Sequence, residues 1–468
     1  MPLVKPRHAD EQERGRVLLL LRKYGWNATS FQVLEQGFQY WFCGDDACVA
    51  YVDTGNSWVA AGAPITGAER LGEVAQAFVA AASHAGRRAS FFAVERRFID
   101  MPPLQVTLIG EQPVWNPAMW SAMVDGHRSL REQLRRARAK GVVIRAVSGA
   151  ALLPPDAPLR LAIDALIRNW LAGRPLAPMG FLVDVQPFSH GDERRYFVAE
   201  WSGRIIGFLA AVPIYTRKGW LFEDLLRDRC APNGTAELLI DFAMRDVARV
   251  GSSYATLGLA PLAGPVALWL GVARVLSASF YDFRGVQTFR AKLRPDRWDP
   301  IYLVYPSAGR PAVLESTAAL WDVLTAFARG RLVSFGVETL LRGPALVIRL
   351  LALLLVPWTI LLSLVAVQLF PSPAVRAAWV AFDATLTLVL FTLAARWRRW
   401  LGVAVATAVS LDAITTSLQV ALFNLERVSG PFEAIALVIA IGAPMAAALI
   451  LWKAVGHHHS TDQRLAAG

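Results

Sequence analysis

Along the first 340 residues, short runs that alternate apolar and polar positions give way in turn to stretches with helical periodicity. Strand-like runs cover residues 40–43, 48–52 and 57–61, the last two joined by Asp53, Thr54, Gly55 and Asn56. Leu71, Val74, Phe78 and Ala81 then recur at helical spacing, and residues 88–94 return to a β pattern. A similar order comes later. Residues 196–200 and 205–213 flank the turn Ser202-Gly203, residues 219–226 form another strand, and residues 236–249 form a helix. The chain uses one α/β plan twice, with Pro102, Pro103, Pro113 and Pro117 bracketing the junction.

After Gly343 the pattern changes solvent. Four apolar stretches, residues 346–370, 377–395, 401–423 and 434–455, are each long enough to cross a bilayer core as helices at about 1.5 Å per residue. Basic residues flank one side: Arg331, Arg342 and Arg349 before the first stretch, Arg396, Arg398 and Arg399 between the second and third, and Lys453 at the fourth. That asymmetry predicts an even number of crossings with both termini in the cytoplasm. Residues 17–21 are too short an apolar run for a secretory signal, so the preceding α/β region is expected on the same side. Asp383 and Asp412 lie within the second and third stretches, where they serve as interhelical hydrogen-bonding groups or mark a lipid or ion path.

With 54% hydrophobic and 18% charged residues, composition excludes a disordered or collagen-like chain. A mean hydropathy of +0.37 agrees with partial membrane residence. The net charge of +11 points to an anionic partner, nucleic acid or phospholipid. Cys43, Cys48 and Cys230 have no metal-ligand spacing, and His457, His458 and His459 sit on a polar tail, so no metal or other cofactor is predicted. Serine-hydrolase elbow, P-loop and zincin motifs are missing from the sequence.

Between Arg128 and Arg145 there are seven basic residues and one acidic residue, Glu132. At helical spacing Arg128, Arg131, Arg135 and Arg138 share one face, while Leu130, Leu134 and Ala137 share a neighbouring one. One face packs; the other is a solvated surface or a phosphate-contacting ridge for RNA or lipid. Gly141 supplies the stop.

Six segments carry a family resemblance: RKYGWNATSF from Arg22, SLREQLRRARAKGV from Ser129, NWLAGRPLAPMGF from Asn169, EDLLRDRCAPNGTAELLIDFAM from Glu223, TLGLAPLAG from Thr256, and FYDFRGVQTFRAKLRPDRWDPIYLVYP from Phe280. Over residues 24–306 the sequence resembles the C-terminal domain family of phosphatidylglycerol lysyltransferases, the catalytic portion of aminoacyl-phosphatidylglycerol synthases. The resemblance implies an α/β (α+β) fold of tandem GNAT-like domains. It divides the chain into a first GNAT-like domain at 1–118, a second, catalytic one at 119–310, a juxtamembrane linker at 311–343, four transmembrane helices at 344–456 and a polar tail at 457–468. It implies transfer of an aminoacyl group, lysyl by default, from aminoacyl-tRNA to a phospholipid, phosphatidylglycerol by default. The setting implied is a multi-pass protein of the bacterial inner membrane, with resistance to cationic antimicrobial peptides as a consequence. Many family members carry their membrane region ahead of this domain; here it follows, and the flippase of the larger members is not evident.

An aminoacyl ester is already activated, so an acceptor hydroxyl needs positioning, proton removal and a stabilised oxyanion. Glu223 and Asp224 end an apolar β-like run, and Asp241 follows one helix later. Asp224 is the expected base or acceptor-orienting group, with Asp241 as its structural partner; alternatively Asp224 pairs with Arg227 or Arg229. Asn233 and Gly234 precede a helix, where they cap it or meet an anion. Arg284, Arg290 and Lys292, set among Phe280, Tyr281, Phe283 and Phe289, suit phosphate contact or a stacked tRNA end, or else the aromatics pack in the core. Two other classes fit the same sequence. One is a GNAT-like acyltransferase using acyl-CoA on an amine, whose phosphate turn would fall at residues 186–191. The other is a non-catalytic lipid- or RNA-binding membrane protein.

Overall fold

A computed structural model describes residues 10–99, 104–174, 179–276, 281–328, 330, 334–335, 344–364, 372–395, 398–424 and 431–466. The chain divides into two compact units, Met1–Phe335 and Gly336–Gly468.

The first unit begins with α1 (Glu11–Tyr24), started by a capping box between Asp10 and Glu13. The 3-10 turn Phe31–Leu34 follows, then β1 (Gln39–Phe42), β2 (Cys48–Asp53), β3 (Ser57–Ala61), α2 (Leu71–His84), β4 (Arg88–Val94) and β5 (Leu104–Trp115). Next come α3 (Trp120–Gly126), α4 (Arg128–Ala139), β6 (Val143–Val147), α5 (Pro158–Ala172), β7 (Arg195–Trp201), β8 (Arg204–Ile214), β9 (Gly219–Phe222) and β10 (Leu226–Arg227). The unit closes with α6 (Thr235–Arg249), β11 (Tyr254–Thr256), β12 (Ala260–Pro261), α7 (Leu268–Leu276), α8 (Phe283–Lys292), β13 (Arg297–Pro306) and α9 (Ala312–Phe327).

The doubled α/β plan is visible in the parallel pairs. β3 and β4 are parallel and joined through α2; β9 and β11 are parallel and joined through α6. The other pairings are antiparallel, and all strands belong to one sheet ordered β1-β2-β3-β4-β13-β5-β11-β9-β8-β7-β6, with β10 on β8 and β12 on β5. The halves are therefore fused through their backbones. The junction bracketed by the four prolines is β5 itself, residues 104–115 with Pro113 inside it, and β13, expected in the second half, lies between β4 and β5.

Helices cover this sheet because each has one apolar stripe. Leu71, Val74 and Phe78 of α2 are buried with Phe91 and Phe98. Leu130, Leu134 and Ala137 of α4 pack with Leu238, Leu239 and Met244 of α6, as the periodicity predicts. Each such fully buried side chain contributes about 1.5–3 kcal/mol of transfer free energy. Residues 219–226 were expected as one strand. The ladder breaks after Phe222 and resumes at Leu226, so Glu223, Asp224 and Leu225 are released from β pairing.

Part of the expected linker is helical. α9 packs on the sheet through Ala319, Val323 and Ala326, and Arg88 donates through Nε to Asp322 at 2.9 Å.

The second unit has helices at Pro344–Leu364, Pro373–Ala395, Arg399–Gln419 and Pro431–Ala466. Three stretches are long and apolar enough to cross a membrane: Pro373–Phe391, Trp400–Leu422 and Leu437–Gly456. The first expected span lies partly outside the described residues, at 365–370, and its apolar helical stretch is Leu350–Ile360. The last helix continues to Ala466, through most of the expected polar tail at 457–468.

Candidate active site

The break after β9 sets up the site. Thr256 of β11 pairs with Leu221 of β9 in parallel, so the segments after both strands leave the sheet at the same edge. A crevice outside the carboxyl ends of parallel strands is where side chains from two crossovers can converge on a ligand.

Glu223 keeps its backbone N–H on the Ala210 carbonyl at 2.9 Å, while its side chain turns into the protein. Its Oε1 accepts from Gln32 Nε2 at 2.8 Å and its Oε2 from Arg194 Nη1 at 2.6 Å. Gln32 lies on the 3-10 turn Phe31–Leu34 of the first half and also donates to the Leu182 carbonyl at 3.0 Å. Arg194, fully buried just before β7, also donates to Glu35 Oε1 at 3.2 Å and, through Nε, to the Ser189 carbonyl at 2.8 Å. One guanidinium thus binds two buried carboxylates, one from each half of the sheet.

Asp224 adds a third carboxylate. The residue is 7% exposed, and its Oδ2 has no hydrogen-bond partner among the described residues. Burial, reinforced by the neighbouring Glu223 charge, holds its carboxyl well above the ordinary range, with Arg194 opposing. Glu35 is raised by burial and by Glu223, again against Arg194, and its Oε2 is likewise unpartnered. Burial disfavours the Arg194 charge, but Glu223 and Glu35 outweigh it and raise its pKa. Burial and mutual repulsion beside a single cation favour the protonated forms of Glu35 and Asp224.

The other candidates are dispersed. Asp241 has separate partners: Trp120 Nε1 donates to its Oδ1 at 2.9 Å, Arg245 Nε to the same oxygen at 2.9 Å, and Arg138 Nη2 to Oδ2 at 2.7 Å. It therefore joins α3, α4 and α6, and the cation whose charge acts on Asp224 is Arg194, bonded to Glu223. Arg229 donates to the Gly173 carbonyl at 2.8 Å, and Arg227 is exposed.

Asn233 is exposed, and the N-cap of α6 is Gly234, with no side-chain cap. Gly234 has φ +97°, and a Cβ there would meet the Gln133 carbonyl at 3.0 Å, so it lets α6 approach α4. Arg290 donates to the Leu257 and Gly258 carbonyls at 2.7 and 2.8 Å, tying down the segment after β11; burial lowers its pKa to about 10. Arg284 and Lys292 are exposed, and Phe280 lies outside the described residues.

On α4, Arg128, Arg131, Arg135 and Arg138 are all exposed. Arg135 pairs with Glu132 at 2.7 Å, Arg131 donates to the Asp125 carbonyl, and Arg138 serves Asp241. Residues 186–191, the turn considered for an acyl-CoA phosphate, lead into strand β7 and not a helix. A cleft of about 300 Å³ is lined by Val147, Ser148, Glu193, Arg194 and Trp220 among others; Glu223 and Asp224 do not line it.

Gln32, Glu35 and Arg194 carry no sequence signal of their own. Arg194 sits in the run Asp192-Glu193-Arg194-Arg195, which reads as a solvated turn, and Glu35 is separated from Glu223 by most of both halves.

Among solved structures, the chain is similar to the C-terminal domain (DUF2156) described for a lysylphosphatidylglycerol synthetase from Agrobacterium fabrum, at 21% identity over 69% of this chain and 99% of that one, with a TM-score of 0.59. It is similar also to L-PGS from Bacillus licheniformis, at 19% identity over 69% and 97%, with a TM-score of 0.57. A GCN5-related N-acetyltransferase from Kribbella flavida matches at 12% identity over 64% and 95%, with a TM-score of 0.33. None of the curated proteins matches. The family model described as phosphatidylglycerol lysyltransferase, C-terminal, matches residues 19–305, from α1 into β13 and more than half of the chain, so this protein belongs to that family.

Proposed function

We propose that this chain, an aminoacyltransferase by its family, moves an aminoacyl group, lysyl by default, from aminoacyl-tRNA to a hydroxyl of phosphatidylglycerol. The observation that carries this reading is the buried, unbonded Oδ2 of Asp224 beside the Glu223–Arg194 pair. An acceptor hydroxyl donates its hydrogen bond to that oxygen and its oxygen attacks the ester carbonyl. The new C–O bond forms, the bond to the tRNA 3′ oxygen breaks, and the proton taken up by Asp224 passes to the departing tRNA hydroxyl. A carboxyl raised above its ordinary range suits both halves of that exchange. Arg194 holds Glu223 and Glu35 in place and is itself a positioning residue.

The second unit anchors the enzyme. Its apolar helices make it a multi-pass protein of the bacterial inner membrane, with the α/β unit and both termini cytoplasmic, where charged tRNA is present. The exposed arginines of α4 meet tRNA phosphates, and a cationic lipid product lowers the surface charge that attracts antimicrobial peptides.

Expression of the full chain in a host without aminoacylated lipids, with labelled amino acids and lipid extraction, tests the reading. A new amine-bearing lipid that disappears with RNase treatment of the cell-free reaction and with Asp224→Asn is the expected result. A product insensitive to RNase would move the chain to acyl-CoA chemistry, and absence of any product across all charged tRNAs would leave a binding protein.

A further inference from the structure

A second cluster of charged side chains is built from Trp26, Glu95, Arg97 and Arg217. The guanidinium carbons of Arg97 and Arg217 stand 4.9 and 4.6 Å from the centre of one indole ring, Trp26, and Arg217 is also 4.2 Å from the Tyr254 ring. Trp26 belongs to the RKYGWNATSF segment, which the aminoacyl-transfer chemistry does not otherwise use. The single carboxylate serving both cations is Glu95: its Oε2 is 2.8 Å from Arg217 Nη1, and its Oε1 accepts from the Ala28 N–H at 3.0 Å.

That arrangement leaves a cation over. Arg97 Nε is buried without a hydrogen-bond partner among the described residues, and Arg217 Nη1, although close to Glu95, makes no aligned hydrogen bond. Burial, with Arg217 adding to it against the pull of Glu95, lowers the pKa of Arg97 to about 10. A partly desolvated guanidinium with no carboxylate of its own among the described residues is costly to fold around, and stacking on an aromatic ring recovers only part of that cost. Two guanidiniums fixed beside one ring match the oxygens of a phosphate, which Arg binds through paired N–H donors.

We infer that Arg97 and Arg217, held on Trp26, form a binding site for the single phosphodiester of a phospholipid head group. The inference rests on the transferase reading for its choice of lipid. The cluster favours one small anion, since Arg217 is only 13% exposed and Glu95 6%; the dispersed phosphates of RNA fit the exposed arginines of α4 instead. The site is tied to the carboxylate cluster by two short segments. Trp26 leads to Gln32, which bonds Glu223, and Arg217 follows Tyr215, whose hydroxyl donates to Glu193 beside Arg194 at 2.7 Å. A head group anchored there has a fixed relation to the proposed base.

Titration of the full chain in neutral detergent with glycerophosphoglycerol, the deacylated head group, tests this without any reaction. Arg97→Gln is expected to weaken binding at least about tenfold while leaving the melting temperature unchanged or higher, with Arg97→Lys between the two. A parallel titration with deacylated tRNA should be unaffected. Equal head-group binding by wild type and Arg97→Gln, failure of the wild type to bind, or a loss that falls on tRNA would overturn the inference. Head-group binding that depends on Arg97 in a chain forming no aminoacylated lipid would leave the site standing and remove the transferase reading. Lipid aminoacylation with an unchanged KM for lipid in Arg97→Gln would do the opposite.

Discussion

Arg194 Nη1 lies 2.6 Å from Glu223 Oε2, so the first carboxylate after β9 is neutralised inside the protein and the second, Asp224, keeps a free oxygen. This difference between adjacent residues separates a positioning pair from a proton acceptor. Asp224→Asn keeps the shape and removes the base, and lipid aminoacylation should fall by about 10²–10⁴-fold with the fold retained by circular dichroism. Glu223→Gln should cost both stability and activity, because it weakens the anchor of Arg194.

The raised carboxyl of Asp224 sets the direction of the pH dependence. The folded state binds the proton more tightly than the unfolded chain, so its contribution to stability is complete below the unfolded carboxylate range and declines as pH rises through the folded value. Asp224→Asn removes that decline. Denaturant unfolding should show the variant gaining stability over wild type on going from pH 5 to pH 8, by about 1.4 kcal/mol for each pH unit of that interval that lies below the wild-type folded value. In the wild type, activity should have an acid limb above the ordinary carboxylate range, since the ionised form is the base. A limb near pH 4, or parallel stability curves for the two proteins, would exclude Asp224 as the titrating group.

Arg194→Met leaves Glu35, Glu223 and Asp224 facing one another with no cation. Breaking a buried pair from one side costs about 3–5 kcal/mol, and here Glu35 and Glu223 both pair with the one guanidinium. Combining Arg194→Met with Glu35→Gln should recover part of that loss, so a double-mutant cycle by denaturant unfolding would give a coupling of at least about 0.5 kcal/mol. Strict additivity would mean the three-way contact does not exist in solution.

These relationships show which parts of the molecule the sequence can express. The strands and the helices between them were legible because Leu71, Val74 and Phe78, or the run 219–226 that contains β9, announce their periods locally. Glu223 and Asp224 were legible as carboxylates ending an apolar run. Their partner was not, because the link to Arg194, Glu35 and Gln32 depends on how two halves share a sheet through β5 and β13, and strand order has no local signature. The basic helix was half legible: its buried stripe was as predicted, whereas the assignment of Arg138 to Asp241 required knowing that α6 lies alongside. Gly234 was singled out for its position before a helix, but its reason is the Gln133 carbonyl of α4, which no spacing reveals.

That reason is testable at Gly234. An Ala there must hold φ near +97° and fit its Cβ against Gln133 O at 3.0 Å and Ala137 Cβ at 3.1 Å. Gly234→Ala should therefore destabilise by about 1–3 kcal/mol, whereas Asn233→Ala, at an exposed position without a capping bond, should stay within about 0.5 kcal/mol. Thermal unfolding of the pair separates a packing glycine from an anion-binding turn, in which both residues would alter substrate affinity more than stability.

Asp241 offers the sharpest division between structure and chemistry among the carboxylates. It is 1% exposed and accepts from Trp120, Arg138 and Arg245, which join three helices. Asp241→Ala leaves a buried indole N–H and two guanidiniums without their acceptor, and should cost about 3 kcal/mol. Arg138→Ala should cost far less, because Arg138 is 55% exposed and Arg245 still serves the carboxylate. Arg128→Ala, from the same face of α4, should leave stability alone and reduce the salt dependence of tRNA binding by about one phosphate's worth. Measured together by unfolding and by tRNA titration across salt, the three variants sort the basic helix into a residue that holds the fold and one that meets RNA. Loss of tRNA binding in Asp241→Ala beyond its loss of folded protein would place that carboxylate in the reaction after all.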